Sequence, residues 1–302
     1  MKSLSTVPVE KSPSSHPFQP PRSAHNIRRR VSNVVAILFT TATIVFAILI
    51  LLYLLLYVFS QGISSINLDF LTKLPTPNGE PGGGVAEAIQ GSLILVGLAS
   101  LFGVPLGVFT GIYLSEFGRG AFSTAVRYMV AVLTGIPTII FGLFAWIFIV
   151  VPQQTFSGLA GGVALGIIMI PIVATTSEEV LRLVPKELRE ASLALGATES
   201  RTIIRVVLPA ALNGIITGVV LAMARVAGET APLLMTAFGT NFFNTDVTQP
   251  MDALPLRIFV FTESPYQIQL NQAYAGSVVL ILLILITSFA VRWATGGFKR
   301  RV

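Results

Sequence analysis

Pro185-Lys186-Glu187-Leu188-Arg189-Glu190-Ala191-Ser192-Leu193-Ala194-Leu195-Gly196, continued by Thr198 and closed by Leu208-Pro209, lies between two strongly apolar segments. The polar stretch runs from about Ser177 to Pro209. It carries Glu178, Glu179, Arg182, Lys186, Glu187, Arg189, Glu190, Glu199, Arg201 and Arg205 in a chain that is only 11% charged. Pro185 suits a first helical turn, where its missing N–H would be unpaired in any case, and Gly196 suits the left-handed position just past a helix end. A short helix over about 185–195 is therefore expected. Thr198 is placed to cap a second helix through Arg201 and Val207, with Pro209 opening the next apolar span. Helix, glycine turn and helix make a compact knob, and the small residues Ala191, Ser192 and Ala194 permit close approach by a partner. The plainer alternative is an ordinary amphipathic loop.

The flanking segments decide what the knob is attached to. Of 302 residues, 53% are apolar, and mean hydropathy is +0.78. This exceeds the apolar share of soluble domains and falls far below their share of charge. Runs of the length a bilayer needs, about 20 residues, extend over Val34 to Phe59, Ile89 to Leu114, Tyr128 to Val151, Leu159 to Thr175, Ala211 to Ala237 and Ala275 to Trp293. The expectation is an all-α integral membrane protein with six transmembrane helices. The fourth run is the shortest and contains Pro171, so a break or re-entrant segment is expected there if anywhere. The first run is too long for a signal-peptide core and reads as a retained helix. With the N-terminus in the cytoplasm, only Lys73 and Arg257 of the 20 cations fall outside and Arg225 lies within a span. The positive-inside rule thus places both termini in the cytoplasm, and the net charge of +6 needs no nucleic acid to explain it.

Several chemistries are excluded. Without cysteine there is no disulfide framework and no thiolate metal site. His16 and His25 both lie in a Ser/Pro-rich N-terminal tail, residues 1–30, that reads as disordered, so neither a metal site nor a Ser/His/Asp set is available. No stretch matches the phosphate-binding loop of an ATPase.

A second informative segment is Ala224-Arg225-Val226-Ala227-Gly228-Glu229-Thr230-Ala231-Pro232. An arginine at the centre of a bilayer costs about 2.5 to 3.5 kcal/mol on insertion scales and must face a partner, a cavity or a pathway. Gly228 and Pro232 favour a local break, tolerated at that depth only where it is buried in protein or lines water. Two readings are open: an internal ion pair of Arg225 with Glu229, four residues apart on one face, or a fixed positive charge offered to an anion in transit. Gly97, Gly103, Gly107 and Gly111 permit close helix approach, either within the chain or against a sister subunit.

The spacing of Glu190-Ala191-Ser192, Gly196 and Leu208-Pro209 resembles the signature loop of permease subunits of ABC importers, in which this loop inserts into a groove of the cytoplasmic ATPase; Ser192 departs from the usual second alanine. Ala224-Arg225-x-x-Gly228-Glu229-Thr230-Ala231-Pro232 is similar to the signature of one branch, the A-type permease of the phosphate-specific importer. Gly83-Gly84-Val85, Ala88-Ile89-x-Gly91-Ser92, Pro105-x-Gly107, Ile112-Tyr113-Leu114-Ser115-Glu116, Gly135-Ile136-Pro137-Thr138, Phe141-Gly142-Leu143-Phe144 and Ile170-Pro171-Ile172 look like the same branch, so the likeness covers about residues 80–240.

The resemblance implies a type I ABC importer permease with a first helix and outer loop over 31–80, a transmembrane domain over 81–302 and a coupling loop over 177–209. It also implies a bacterial inner-membrane location. Its partners would be a sister C-type permease, a cytoplasmic ATPase dimer and an extracytoplasmic phosphate-binding protein, besides membrane lipid. ATP and magnesium would be bound by the ATPase, leaving this chain without a cofactor and without enzymatic activity. ATPase coupling would fall to Glu190, Ala191, Gly196, Leu208 and Pro209. In the family a glutamate and an arginine near the end of the fourth helix, with an arginine in the fifth, are implicated in phosphate passage. These map to Glu178, Thr175 and Arg225, and Glu229 joins them as a neighbour of Arg225. Thr175 is not basic, which leaves open whether a sister subunit supplies the second charge. For Glu178 a capping box, Thr175-x-x-Glu178, is the competing reading. A permease for another oxyanion (sulfate, molybdate, phosphonate) and a non-transporting regulator are the alternative functions.

Overall fold

The computed structural model describes residues 24–295, with side chains from residue 28, and divides at Leu55 into two units. In the first unit runs most of helix α1 (Ala24–Gly62), whose side chains from 28 to 55 are exposed. Residues 24–30, assigned from sequence to the tail, are helical; the rest of that tail, with His16 and the terminal Lys299, Arg300 and Arg301, lies outside the described residues.

In the second unit α2 (Leu68–Thr72) starts at Asn67, whose side chain accepts from the Phe70 N–H at 2.8 Å. Then follow α3 (Ala86–Ile112), α4 (Ala121–Gly135), α5 (Thr138–Ala145), α6 (Val151–Gln153) and α7 (Gly158–Arg182). The chain continues through α8 (Lys186–Ala194), α9 (Glu199–Thr202), α10 (Leu208–Ala227), α11 (Ala231–Thr236), α12 (Leu254–Thr262) and α13 (Gln267–Ala294). Among the described residues five helical stretches are long and apolar enough to cross a membrane. A sixth arises if α4 and α5 to Gln153, bent by 100°, form one span.

The break falls in the third span, not at Pro171 in the fourth. Ile136 and Pro137 are both extended, with ψ of 132°; at Ile136 the reason is the following proline ring, which disfavours the helical region for the residue before it. Pro171 meets the same rule but sits inside an unbroken α7. There Met169, Val173 and Ala174 are fully buried, so tertiary packing holds the helix where the sequence would kink it. Two other prolines are absorbed differently. Pro152 and Pro209 each follow a five-residue π turn, Trp146–Val150 and Ile203–Val207, and the widened turn makes room for the ring and for the missing N–H. As a result Glu199–Ala227 is one continuous 29-residue helix, and Pro209 lies within it instead of opening a span.

Glycines set the packing of the span helices. A Cβ added at Gly103 would meet Met169 at 2.9 Å, one at Gly107 would meet Val173 at 2.6 Å, and one at Gly111 would press on Ser177. Both numbers of each pair rise together, so α3 and α7 run parallel with their backbones close. Gly214 meets Val180 and Gly218 meets Thr176, so α10 runs antiparallel to α7. The core gathers on α7: Leu165, Ile168, Met169 and Val173 pack with Leu95, Phe141, Ala222, Val226 and Leu233. A second cluster joins Phe70, Val85, Leu254 and Phe261 to Ala273 and Val279, and a third surrounds Leu181, Val184, Val207 and Ile215. Gly97 meets nothing within 4 Å and lines an apolar crevice with Leu93, Val220, Ala224, Leu283 and Thr287.

Candidate transport path and coupling loop

Helix α8 is the first half of the knob expected from sequence, and its end is built as a Schellman motif. Gly196 has φ of +82°, its N–H donates to the Leu193 carbonyl at 2.9 Å, and Ala197 N–H reaches the Ser192 carbonyl at 3.2 Å. Thr198 caps α9 by accepting from Arg201 N–H at 3.3 Å. Glu190, Ala191 and Gly196 are exposed, as docking residues must be. Leu208 is half-buried against the cluster of Leu181 and Val207, and Pro209 is exposed on the continuous helix; this pair therefore shapes the base of the knob. No side chain of α8 is fully buried, and Leu183, Leu188, Leu193 and Leu195 are 80%, 46%, 44% and 90% exposed in and around it. Polar ties hold it instead. An Arg189 Nη2 donates to the Leu181 carbonyl at 2.8 Å and lies 3.0 Å from Glu116, and the Ser192 and Thr202 hydroxyls are 2.8 Å apart.

Glu178 lies inside α7, four residues from its end, so the capping-box reading fails; the neighbouring Thr176 hydroxyl bonds back to the Ile172 carbonyl within the helix at 2.8 Å. Its Oε1 takes Arg127 Nε at 2.8 Å and Arg182 at 2.7 Å, while Arg127 also donates to the Leu114 carbonyl at 2.8 Å. Thr175 is exposed and not basic, yet Glu178 has two arginines, one of them from α4. Sequence reading missed Arg127 and Glu116. The usable signal was the scarcity of charge: ionisable groups at the ends of apolar spans need partners, and Glu116 and Arg127 flank the same connection.

Arg225 is exposed on the last turn of α10, and Glu229 is half-buried beyond that helix's end. The expected break is present: α10 stops at Ala227, and α11 begins at Ala231. The break also removes the four-residue helical spacing on which the internal ion pair depended. Among the described residues neither Arg225 nor Glu229 has an opposite charge within 4.0 Å. The register of α10 on α7 places Arg225 level with Met169, near the middle of α7, and about 13 Å along the axis from Glu178 at 1.5 Å per residue. The three residues expected on one pathway are thus not brought together. Glu178 belongs to an ionic cluster at the end carrying α8, while Arg225 stands at mid-height, apart from that cluster. Beside the break, α11 packs so closely on α5 that a Cβ on Gly142 would lie 2.6 Å from Pro232 Cα.

At the opposite end from α8, the loop before α12 is tied down by Arg257, which is 6% exposed. Its Nε donates to Asp252 at 2.6 Å, Nη1 to Asn241 at 2.9 Å and Nη2 to the Thr240 carbonyl at 2.9 Å, with Glu87 at 3.3 Å. Burial pushes the Asp252 carboxyl above the usual range, and the Arg257 guanidinium pulls it back. Asp252 therefore braces the loop from inside and is not offered to a partner. Among the described residues no group of three or more His, Cys, Asp or Glu could hold a metal ion.

Residues 103–302 match the family described as binding-protein-dependent transport system inner membrane component. The chain is 40% identical over 265 residues to the phosphate transport system permease protein PstA of Yersinia pestis, covering 87% of this chain and 90% of that protein. It is 35% identical over 271 residues to the probable phosphate transport system permease protein PstA of Methanocaldococcus jannaschii, covering 89% and 96%. Among solved structures, an inward-facing MetNI methionine ABC transporter superposes with a TM-score of 0.57 at 22% identity over 72% of this chain and 95% of that one. A bacterial ABC transporter involved in the import of the acidic polysaccharide alginate gives 0.63 at 14% identity over 91% and 100%. The close α3–α7 packing, the exposed knob and the arginine at the helix break are therefore parts of a multi-pass membrane permease, and the chain belongs to the family of inner membrane components of binding-protein-dependent ABC transport systems.

Proposed function

We propose that this chain is the permease subunit of an ATP-driven importer of inorganic phosphate, of the A-type, and that it performs no ATP hydrolysis itself. The observation that carries the reading is Arg225: a guanidinium exposed at mid-height beside a helix break, with no carboxylate within 4.0 Å among the described residues, in a protein 40% identical to a phosphate transport system permease. A fixed cation inside a membrane-spanning helix favours an anion as its partner, and a planar guanidinium matches the geometry of phosphate oxygens. A sister permease would complete the walls of the path, an extracytoplasmic phosphate-binding protein would deliver the anion, and a cytoplasmic ATPase pair would take up α8. Both termini lie in the cytoplasm in this reading, because the end carrying α8 also carries Arg119, Arg127, Arg182 and Arg189. Closure of the ATPases would shift the permease between two packed states open to opposite sides.

Uptake of labelled phosphate at limiting concentration, in cells lacking this chain and supplied with it again, tests the assignment. Restoration that excess sulfate does not reduce supports it. Full competition by sulfate would transfer the permease to that anion, and failure to restore with the protein present would remove phosphate as the cargo.

A further inference from the structure

Helix α8 has almost no apolar anchorage: none of its residues is buried, and the leucines on and around it are open. A displacement of α8 therefore reaches the spans chiefly through its covalent ends, its polar ties and the contact of Leu193 with the turn Ile203–Val207. One tie, Ser192 to Thr202, joins α8 to α9, its neighbour in sequence across the Gly196 turn, and so adds little to a connection that the backbone already makes. The other leads elsewhere. Arg189 reaches Glu116, 73 residues earlier in the chain, in the π turn Tyr113–Phe117 that continues α3, and with the same nitrogen it holds the Leu181 carbonyl near the end of α7. Glu116 is 7% exposed on its side chain and Arg189 24%, so the pair is shielded enough for geometry to be kept under load. Helix α3 in turn lies along α7 on its glycines and contributes Leu93 and Gly97 to the crevice that α10 shares.

We propose that the Arg189–Glu116 ion pair transmits movement of α8 to α3, and that Arg189 is a positioning residue for transport. The proposal rests on the permease reading above. Without the pair, a displaced α8 would still pull on α7 and on α9 through its covalent ends but would lose its direct hold on the end of α3. Hydrolysis and transport would then come apart, which a purely structural role for the pair would not produce.

The test is made on the assembled permease–ATPase complex in lipid vesicles with its phosphate-binding protein, reading phosphate taken up per ATP hydrolysed. Wild type fixes the reference, and its failure to take up phosphate at all would count against the permease assignment itself. For Arg189→Met the uptake per ATP is expected to fall about tenfold, the size of a typical coupling between sites. Arg189→Met leaves Glu116 without its partner, so the double variant Arg189→Met/Glu116→Gln removes the lone charge as well. It should recover assembly if assembly was lost, and yet stay uncoupled. Ser192→Ala should keep the wild-type ratio. Wild-type uptake per ATP in either the single or the double variant would overturn the proposal, as would a loss in Ser192→Ala equal to that in Arg189→Met.

Discussion

Arg257 is buried and Arg225 exposed, and their different chemistry follows from what lies within reach of each guanidinium. Arg257 is saturated by Asp252, Asn241 and the Thr240 carbonyl, so its removal leaves Asp252 and Glu87 buried together without a cation. Arg257→Met is expected to cost about 3 to 5 kcal/mol, the usual penalty for breaking a buried pair from one side, read as a lowered melting temperature of the purified protein. The pH dependence has a definite sign. A carboxyl raised in the folded state holds its proton more tightly there than in the unfolded chain, so its contribution to stability is greatest below the unfolded pKa and declines as pH rises through the folded value. Losing Arg257 removes the influence that lowers the Asp252 pKa. The variant should therefore recover stability relative to wild type on going from about pH 7 to about pH 5. Arg225 has no such partners, and Arg225→Ala is expected to leave protein levels and melting close to wild type while labelled phosphate uptake is lost. Uptake that survives the substitution would remove Arg225 from the path.

Among the elements, α8 and its glycine turn were legible because their signals are local: Pro185, Gly196 and Thr198 act within one or two turns of themselves, and each does so in the structure. Gly196→Pro would force φ near −65° where the chain needs +82°, and should abolish co-purification of the ATPase if α8 is the docking element. What sequence misplaced depended on neighbours far along the chain. Pro137 bends its span and Pro171 does not, and the difference lies in the burial of Met169, Val173 and Ala174, which no local pattern declares. The pairing of Arg225 with Glu229 failed because a helix end intervened between them, and Glu178 was drawn away by Arg127, 51 residues off. The glycines illustrate both cases. Gly107→Ala should destabilise by about 1 to 3 kcal/mol through contact with Val173, as overpacking does. Gly97→Ala, with open space beside it, should melt no lower than wild type. Sequence marked both as packing glycines and could not say which had a neighbour.

At the scale of the molecule, α3 and α7 run parallel and α10 returns antiparallel, so the α8 knob and the loop before α12 occupy opposite ends. A chain without cysteine allows this to be read with single reporters. Thr245→Cys should react with a membrane-impermeant maleimide on intact cells and Ser200→Cys only after the membrane is opened; the reverse pattern would invert the topology. The continuous helix from Glu199 to Ala227 runs from the end that carries α8 to mid-height, where Arg225 lies level with Met169. Thr202, where Ser192 is hooked, and Arg225 stand on it about 35 Å apart at 1.5 Å per residue. Pivoted at its foot, such a lever converts a tilt of about 5° into a sweep of about 3 Å at the guanidinium, and 3 Å separates a hydrogen bond made from one broken. A helix unbroken from its foot to Arg225 can in this way turn a small rotation at one membrane face into the capture or release of an anion near the middle.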